Sequence, residues 1–543
     1  MYPLILTLGL LADAEPPMQV HRLAPTAVTR RDDGVWFVDF GQAWYGTLEF
    51  QAEVAAPVTL TVRVGEKLAA PDHLDPKPPG SVIFRSFSLD LQPGQPTHRL
   101  TIAPQPRHSD PAAVHMPASI GEVTVFRAAE IVGWPGELSA DQVRLLAVHV
   151  PFNPQAAAFE CSDPTLNRVW ELCRHTIAAT TAFGVYIDGE RERIPYEADA
   201  YLNQLSAYAV DAEYETARRT FEHLLLKPTW PTEWSLHMPL VAHADWMATG
   251  SAALADKHWD ALRRKLLSER ARADGLLVAY GIVDWPTSER DGYADGQPDP
   301  HDKRQVGPEV GTVVNAFYLA ALRATAELAE ATGRVHDAVE LRTRYAQALV
   351  SFQRVFFDDA RGVYIDGEGC AHASLHANAF PLAFGLVPAQ HRDSVAQFAA
   401  SRGMACSVYA AQYLLDGLFA AGRGDDAVKL LRAAGPRSWS NMLAVGATMT
   451  LEAWDAKFKP NLTWNHAWGA APANLCARWV LGVQPGAPGY AKVVVRPHLG
   501  GLDWVKGRVP TPRGPVTVDV DRRTGRYEVT VPAGVELIKR PVE

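Results

Sequence analysis

The sequence predicts a multidomain, mainly α chain: an (α/α)6 toroid flanked by an N-terminal β-sandwich and a small C-terminal β domain. Three observations carry this reading. Short apolar runs, one of them strictly alternating, are separated by Pro and Gly clusters over the first 150 or so residues. From about residue 155 to about 480 the apolar spacing becomes helical, and after about 482 short β runs return. The expected divisions are 1–152, 153–481 and 482–543. A chain of 543 residues suits two to four domains at roughly 100–200 residues each.

The N-terminus, MYPLILTLGLLADAEPP, is apolar, but no Lys or Arg precedes Arg22. A secretory signal carries a basic start. The segment is therefore read as a buried first strand or a leader. A cytoplasmic location is expected, with a periplasmic one if the segment is a leader. Strands are expected at Val35–Phe40, Val58–Val64 and Val82–Phe87. PDHLDPKPPG, LQPGQP and APQPRHSDP supply the turns.

Ser162-Asp163-Pro164 reads as a helix start, with a capping side chain before a Pro whose fixed φ suits the first turn. Leu166, Val169, Trp170, Cys173 and Ile177 follow at helical spacing. Further helices are expected over Ala198–Val210, Glu215–Leu225, Ser251–Ala271, Glu309–Ala331, Val335–Phe356, Cys406–Ala421 and Asp425–Ala434. Thr332-Gly333-Arg334 is a tight turn between two of them. About a dozen helices without sustained heptads fit paired hairpins in a toroid. Beyond them, strands are expected at Ala491–Pro497, Val516–Val520 and Tyr527–Val531. Some 60 residues make a poor independent core, so this module is expected to dock on the helices.

A net charge of −9 with no run of like charges argues against nucleic-acid and membrane-surface partners. No segment approaches the roughly 18 apolar residues of a membrane span. Five scattered Cys without CxxC spacing argue against a disulfide framework or a zinc site. No metal or cofactor is expected. The phosphate-binding glycine loop, Gly-x-Ser-x-Gly and His-Glu-x-x-His are all absent. Fifteen Trp and sixteen Tyr suit sugar faces, although most buried aromatics serve packing.

The densest polar segment runs from Asp188 to Asp199, DGERERIPYEAD, with five acids and two Arg between apolar helices. Asp188-Gly189 is turn chemistry, and Pro195 stops a regular helix. Tyr186, Ile187, Ile194 and Tyr196 are too apolar for a purely solvated loop. Glu452 sits in GATMTLEAWD, read as a mostly apolar helix start. A lone acid there is either ion-paired or functional. His466 lies in TWNHAWGA, at a loop-to-helix junction, where it is either a packed core residue or a ligand to substrate. Asp284-Trp285-Pro286 and the group Trp230, Trp234, His237 and Asp245-Trp246 are weaker candidates. Glycoside hydrolysis typically uses two carboxyl groups, one acid and one base.

These residues resemble glycoside hydrolase family 78, the bacterial α-L-rhamnosidases. That family carries a segment close to Asp-Cys-Pro-x-Arg-Glu-x-x-Gly-Trp-x-Gly-Asp. Arg191-Glu192, Tyr196 and Asp199 match it from the right, and Asp188 matches with one residue deleted. DFGQ at Asp39–Gln42 and GEKL at Gly65–Leu68 are similar to its N-terminal sandwich motifs. FECSD at Phe159–Asp163, with LNRVW at Leu166–Trp170, is similar to its first toroid helix. TLEAW at Thr450–Trp454 resembles its Thr-x-Trp-Glu, and NHAWGA at Asn465–Ala470 resembles its Asn-His-x-x-x-Gly.

The resemblance implies an inverting α-L-rhamnosidase acting on terminal rhamnosyl groups of glycosides or oligosaccharides. By it, Glu192 is the general acid and Glu452 the base, with Asp188 a rival for the acid. Asp188 and Asp199 hold rhamnose hydroxyls, Arg191 and His466 assist, and Tyr196 and Trp285 pack on the sugar. Trp454 and Asp284 join the implied substrate-binding set. Gly189-Glu190 departs from Cys-Pro, while Pro195-Tyr196 and Glu197-Ala198 depart from Gly-Trp and x-Gly, which puts the substrate range in question. Alternative readings are another toroidal glycoside hydrolase, a phosphorylase, or a non-catalytic sugar-binding relative. A homodimer is compatible with the sequence, but no feature requires one.

Overall fold

The structure is a computed structural model that describes residues 18–230, 232–293 and 307–543. The reading of residues 1–17 as a strand or leader lies outside the described residues.

Eight strands near the N-terminus form one antiparallel sheet. Its order is Gln19–Leu23, Val143–His149, Trp36–Gln51, Thr124–Val132, Val58–Gly65 and Phe84–Leu91. Ala27–Arg30 and Thr97–Arg99 pair with the long central strand as well. That strand, Trp36–Gln51, shifts register between Asp39 and Trp44, at Gly41 with φ 81°. A bulge of this kind bends a strand so that its two ends meet different partners. One core holds Trp36, Val38, Phe50, Leu60, Phe126 and Ile131. A second apolar cluster joins Tyr45, Val125 and Val148 to Ala179, Phe183, Ile187 and Met449 of the helical region. The sheet is thereby seated on the segments that build the site.

The helices are α1 (Pro164–Ala179), α2 (Glu197–Val210), α3 (Glu215–Leu226), α4 (His237–Thr249), α5 (Ala253–Lys257), α6 (Trp259–Arg264) and α7 (Thr312–Ala331). They continue as α8 (Val335–Phe356), α9 (Leu375–Ala383), α10 (Arg392–Ser401), α11 (Val408–Ala420), α12 (Gly424–Leu431), α13 (Trp439–Ala444) and α14 (Ala471–Leu475). Asp163 caps α1, accepting from the Thr165 and Leu166 N–H groups ahead of Pro164, as its sequence predicts. α2, α4, α7, α9, α11 and α14 touch in succession, and α14 returns to α2. This closes an inner ring of six. α1, α3, α8, α10 and α12 lie outside it against their neighbours. Inner helices such as α7 and α11 are buried on nearly every face, whereas α8 buries one side and exposes the other. α11 and α9 approach closely at Gly417, where a Cβ would stand 2.9 Å from Leu382 Cβ and 3.1 Å from the Ala379 carbonyl.

One expected helix is not continuous. Ser251–Ala271 breaks into α5 and α6, followed by a short 3-10 turn at Ser268–Arg270. His258 bonds Glu222 at 2.9 Å, and Trp259 Nε1 donates to Asp337 at 2.8 Å. Leu267 then takes φ 53°. These tertiary contacts outweigh the helical apolar spacing.

The C-terminal strands pair across the chain. Ala158–Cys161 joins Trp504–Val509, which continues to Val516–Asp521 and Arg526–Thr530. Lys492–Val495 lies between Val483–Pro485 and, in parallel, Glu536–Lys539. Val493, Val495, Val505 and Val518 share one apolar core with the toroid helices. Among the described residues no helix is long and apolar enough to cross a membrane.

Candidate active site

The segment between α1 and α2 folds back on itself. Asp188 N–H donates to the Ile194 carbonyl, and Ile194 N–H donates to Asp188 Oδ1, both at 3.0 Å. Arg193 N–H closes the turn on the Gly189 carbonyl at 3.0 Å. Gly189 has φ 119°, and a Cβ there would lie 2.8 Å from Asn465 Oδ1. Only glycine fits that approach without displacement. Asn465 Oδ1 accepts from Glu190 N–H at 2.7 Å and from the Tyr45 hydroxyl at 3.2 Å, while its Nδ2 donates to Glu66 at 2.8 Å. One buried amide therefore ties together the N-terminal sheet, the turn and the 450–470 loop.

The turn sorts its charges by direction. Glu190 and Arg193 point away from solvent, are fully buried, and pair at 2.9 Å. Arg191 and Glu192 face a cavity of about 450 Å³, in the range of small-molecule sites. Arg191 Nη1 and Nη2 donate to the two Glu452 oxygens at 2.9 and 3.0 Å, and its Nε donates to Glu192 at 3.1 Å. One guanidinium thus stands between the two carboxylates. Tyr196 hydroxyl donates to the other Glu192 oxygen at 2.9 Å.

Glu452 is not at a helix start, contrary to the reading of its apolar surroundings. It lies in a loop, donating its N–H to the Thr463 carbonyl at 3.1 Å, while Thr463 N–H donates to its carboxylate at 3.0 Å. Gly446 at φ 87° and the cross-loop pairing replace the helix. Lys459 Nζ is 3.1 Å from Glu452. Burial pushes the Glu452 carboxyl up, but His466, Arg191 and Lys459 outweigh it and hold the group below its ordinary value. Asp188 goes the other way: burial and the neighbouring Glu192 push it well up, against Arg191. Asp199 is raised by burial despite its 2.8 Å contact with His466 Nε2. The site therefore sets one buried carboxyl whose pKa is lowered beside two whose pKa is raised.

An aromatic wall completes the cavity. Tyr196, Trp230 and Trp234 have ring centres 5.1–5.8 Å apart, and Trp285 and Trp468 also line it. Of the sequence-derived candidates, Asp188, Arg191, Glu192, Tyr196, Asp199, Trp285, Glu452 and His466 all line this cavity. Trp454 and Asp284 do not. Trp454 is buried against Trp439, its Nε1 donating to the Cys406 carbonyl at 2.8 Å. Asp284 is buried, bonding His376 at 2.7 Å and accepting Ser407 N–H at 2.9 Å and Trp285 N–H at 2.8 Å. It anchors the backbone of Trp285 and does not line this cavity. The sequence reading missed Lys459, Asn461, Arg107 and Asp110 in the lining. Lys459, the cation seven residues past Glu452, was the one available signal.

A larger cleft of about 1150 Å³ lies between α1 and the C-terminal sheet. Three acids on its rim are held in ion pairs, Glu160 with Lys506, Glu171 with Arg174 and Asp519 with Arg526.

Residues 154–480 match the bacterial alpha-L-rhamnosidase 6 hairpin glycosidase domain, and residues 482–538 match the bacterial alpha-L-rhamnosidase C-terminal domain. An alpha-L-rhamnosidase of Streptomyces avermitilis is 22% identical over 556 residues, covering 96% of this chain and 50% of the relative. One of Alteromonas sp. is 25% identical over 311 residues, covering 53% of this chain and 32% of the relative. This chain therefore spans half of the first relative and about a third of the second. The crystal structure of the Streptomyces avermitilis enzyme complexed with L-rhamnose shares the fold, with a TM-score of 0.75 at 18% identity. That match covers 96% of this chain and 50% of the other.

Proposed function

This chain belongs to the bacterial α-L-rhamnosidase family through its six-hairpin glycosidase domain, and from that premise we propose that it hydrolyses terminal α-L-rhamnosyl groups with inversion. The substrates are rhamnosyl glycosides or oligosaccharides. The observation that carries the reading is the Arg191 bridge between Glu192 and Glu452 in one aromatic-walled cavity. Glu452, held below its ordinary pKa, suits the base that activates water. Glu192, its side chain 38% exposed at the cavity, suits the acid that meets a leaving oxygen, whereas Asp188 is buried and committed to Ile194 N–H. Asp188 and Asp199, with His466, suit sugar hydroxyls, and the Tyr196, Trp285 and Trp468 rings suit the apolar face of a deoxy sugar.

A series of aryl α-L-rhamnosides with leaving groups from nitrophenyl to methylphenyl tests the roles. E452Q is expected to lower kcat about 10²–10⁴-fold on every member. E192Q is expected to do so mainly on the poor leaving groups, which need the proton most. That leaving-group-dependent loss appearing in D188N rather than in E192Q would move the acid to Asp188. Proton NMR should show β-L-rhamnose as the first product, and α-L-rhamnose appearing first would rule out inversion.

A further inference from the structure

The loop Gln105–Asp110 comes from the N-terminal sheet region, yet Arg107 and Asp110 line the cavity. It is bolted in place. His108 Nε2 meets the Glu190 carbonyl at 2.7 Å, and Gln105 Nε2 donates to Glu190 Oε1 at 3.1 Å. Beyond the loop, Val114 N–H donates to the Arg193 carbonyl at 2.9 Å. Arg193 in turn pairs with Glu190 and with Glu122 at 2.6 Å, and donates to the Val123 carbonyl at 2.9 Å. The anchor lies two residues from Glu192. A leaving-group oxygen must reach the donor's proton, so the leaving group lies on the side of this loop.

The charges on that side are unequally engaged. Arg191 and Lys459 are both held by Glu452. Asp110, on the cavity rim, accepts Ala112 N–H of its own loop at 2.8 Å through Oδ1. Among the described residues Arg107 has neither an ion-pair nor a hydrogen-bond partner, and it is exposed at the cavity. A free guanidinium there can meet a carboxylate through two parallel N–H donors. We propose that the Gln105–Asp110 loop is the leaving-group wall of the pocket, and that Arg107 selects α-L-rhamnosides whose leaving group carries a carboxylate, as a uronic acid does. This rests on the rhamnosidase reading above.

The test uses the full chain and two substrates of nearly equal shape, 4-carboxyphenyl α-L-rhamnoside and its methyl ester. The ratio of kcat/KM for acid over ester is compared between wild type and R107A, which cancels the difference in leaving-group electronics. R107A is expected to lower that ratio about tenfold, and R107K to recover part of it. Roughly 0.5 M salt should compress the wild-type ratio, since the contact is solvent-facing. Turnover of both substrates with the ratio unchanged in R107A would overturn the Arg107 assignment and leave the rhamnosidase reading standing. No turnover of either by the wild type would overturn both.

Discussion

Glu66 shows how far the site's supports reach. It is buried, accepts from Asn465 Nδ2 and from Ile83 N–H at 2.7 Å, and burial pushes its carboxyl to about 8 despite both bonds. The folded pKa lies above the unfolded one, so the native state binds the extra proton. Glu66 then contributes stability below about pH 4.5, which is lost as pH rises through about 8. E66Q forfeits one accepted hydrogen bond, roughly 1 kcal/mol, but cannot ionise. Its Tm is expected below wild type at pH 5, with the gap closing or reversing at pH 9. Parallel Tm curves from pH 5 to 9 would exclude the role. The Asp188–Asp199 cluster was legible because five acids packed among apolar neighbours have few structural uses. Arg107 was not, because nothing local in APQPRHSDP says that Glu190 will accept from Gln105 and His108. Trp454 and Glu452 sit two positions apart in one motif, and only the folded loop sends one to the cavity and the other into the core.

Among the elements, boundaries follow the sequence where the ends are chemically marked. Asp163-Pro164 opens α1 and Gly333, at φ 74°, separates α7 from α8. The break between α5 and α6 carries no such mark, since its cause is a pair of side chains on other helices, Glu222 and Asp337. Gly417 is the reverse case, a poor helix former kept inside α11. G417A would gain about 1 kcal/mol of helix propensity. Its methyl would also press on Leu382 and the Ala379 carbonyl, and overpacking costs about 1–3 kcal/mol. Net destabilisation is expected as a lower urea midpoint, and a higher midpoint would show that α9 and α11 can part without cost.

At the scale of the whole chain, the C-terminal strands complete the toroid from outside. Trp504–Val509 covers the edge of Ala158–Cys161, and the valines of both sheets enter the helical core. Deleting residues 482–543 leaves an open strand edge and uncovers that core. The truncated chain is expected to be insoluble or to lose its cooperative melting, while residues 482–543 alone should show no folded circular dichroism. A truncated chain with the Tm of the whole would refute the dependence.

Asn465 adds a consequence in time. Its partners Tyr45, Glu66 and Glu190 are all synthesised well before it, and chains emerge N-terminus first. The sheet and the Asp188–Asp199 turn therefore gain their shared amide only after residue 465 has been added. A chain stopped before residue 465 would leave Tyr45, Glu66 and Glu190 without the amide that joins them.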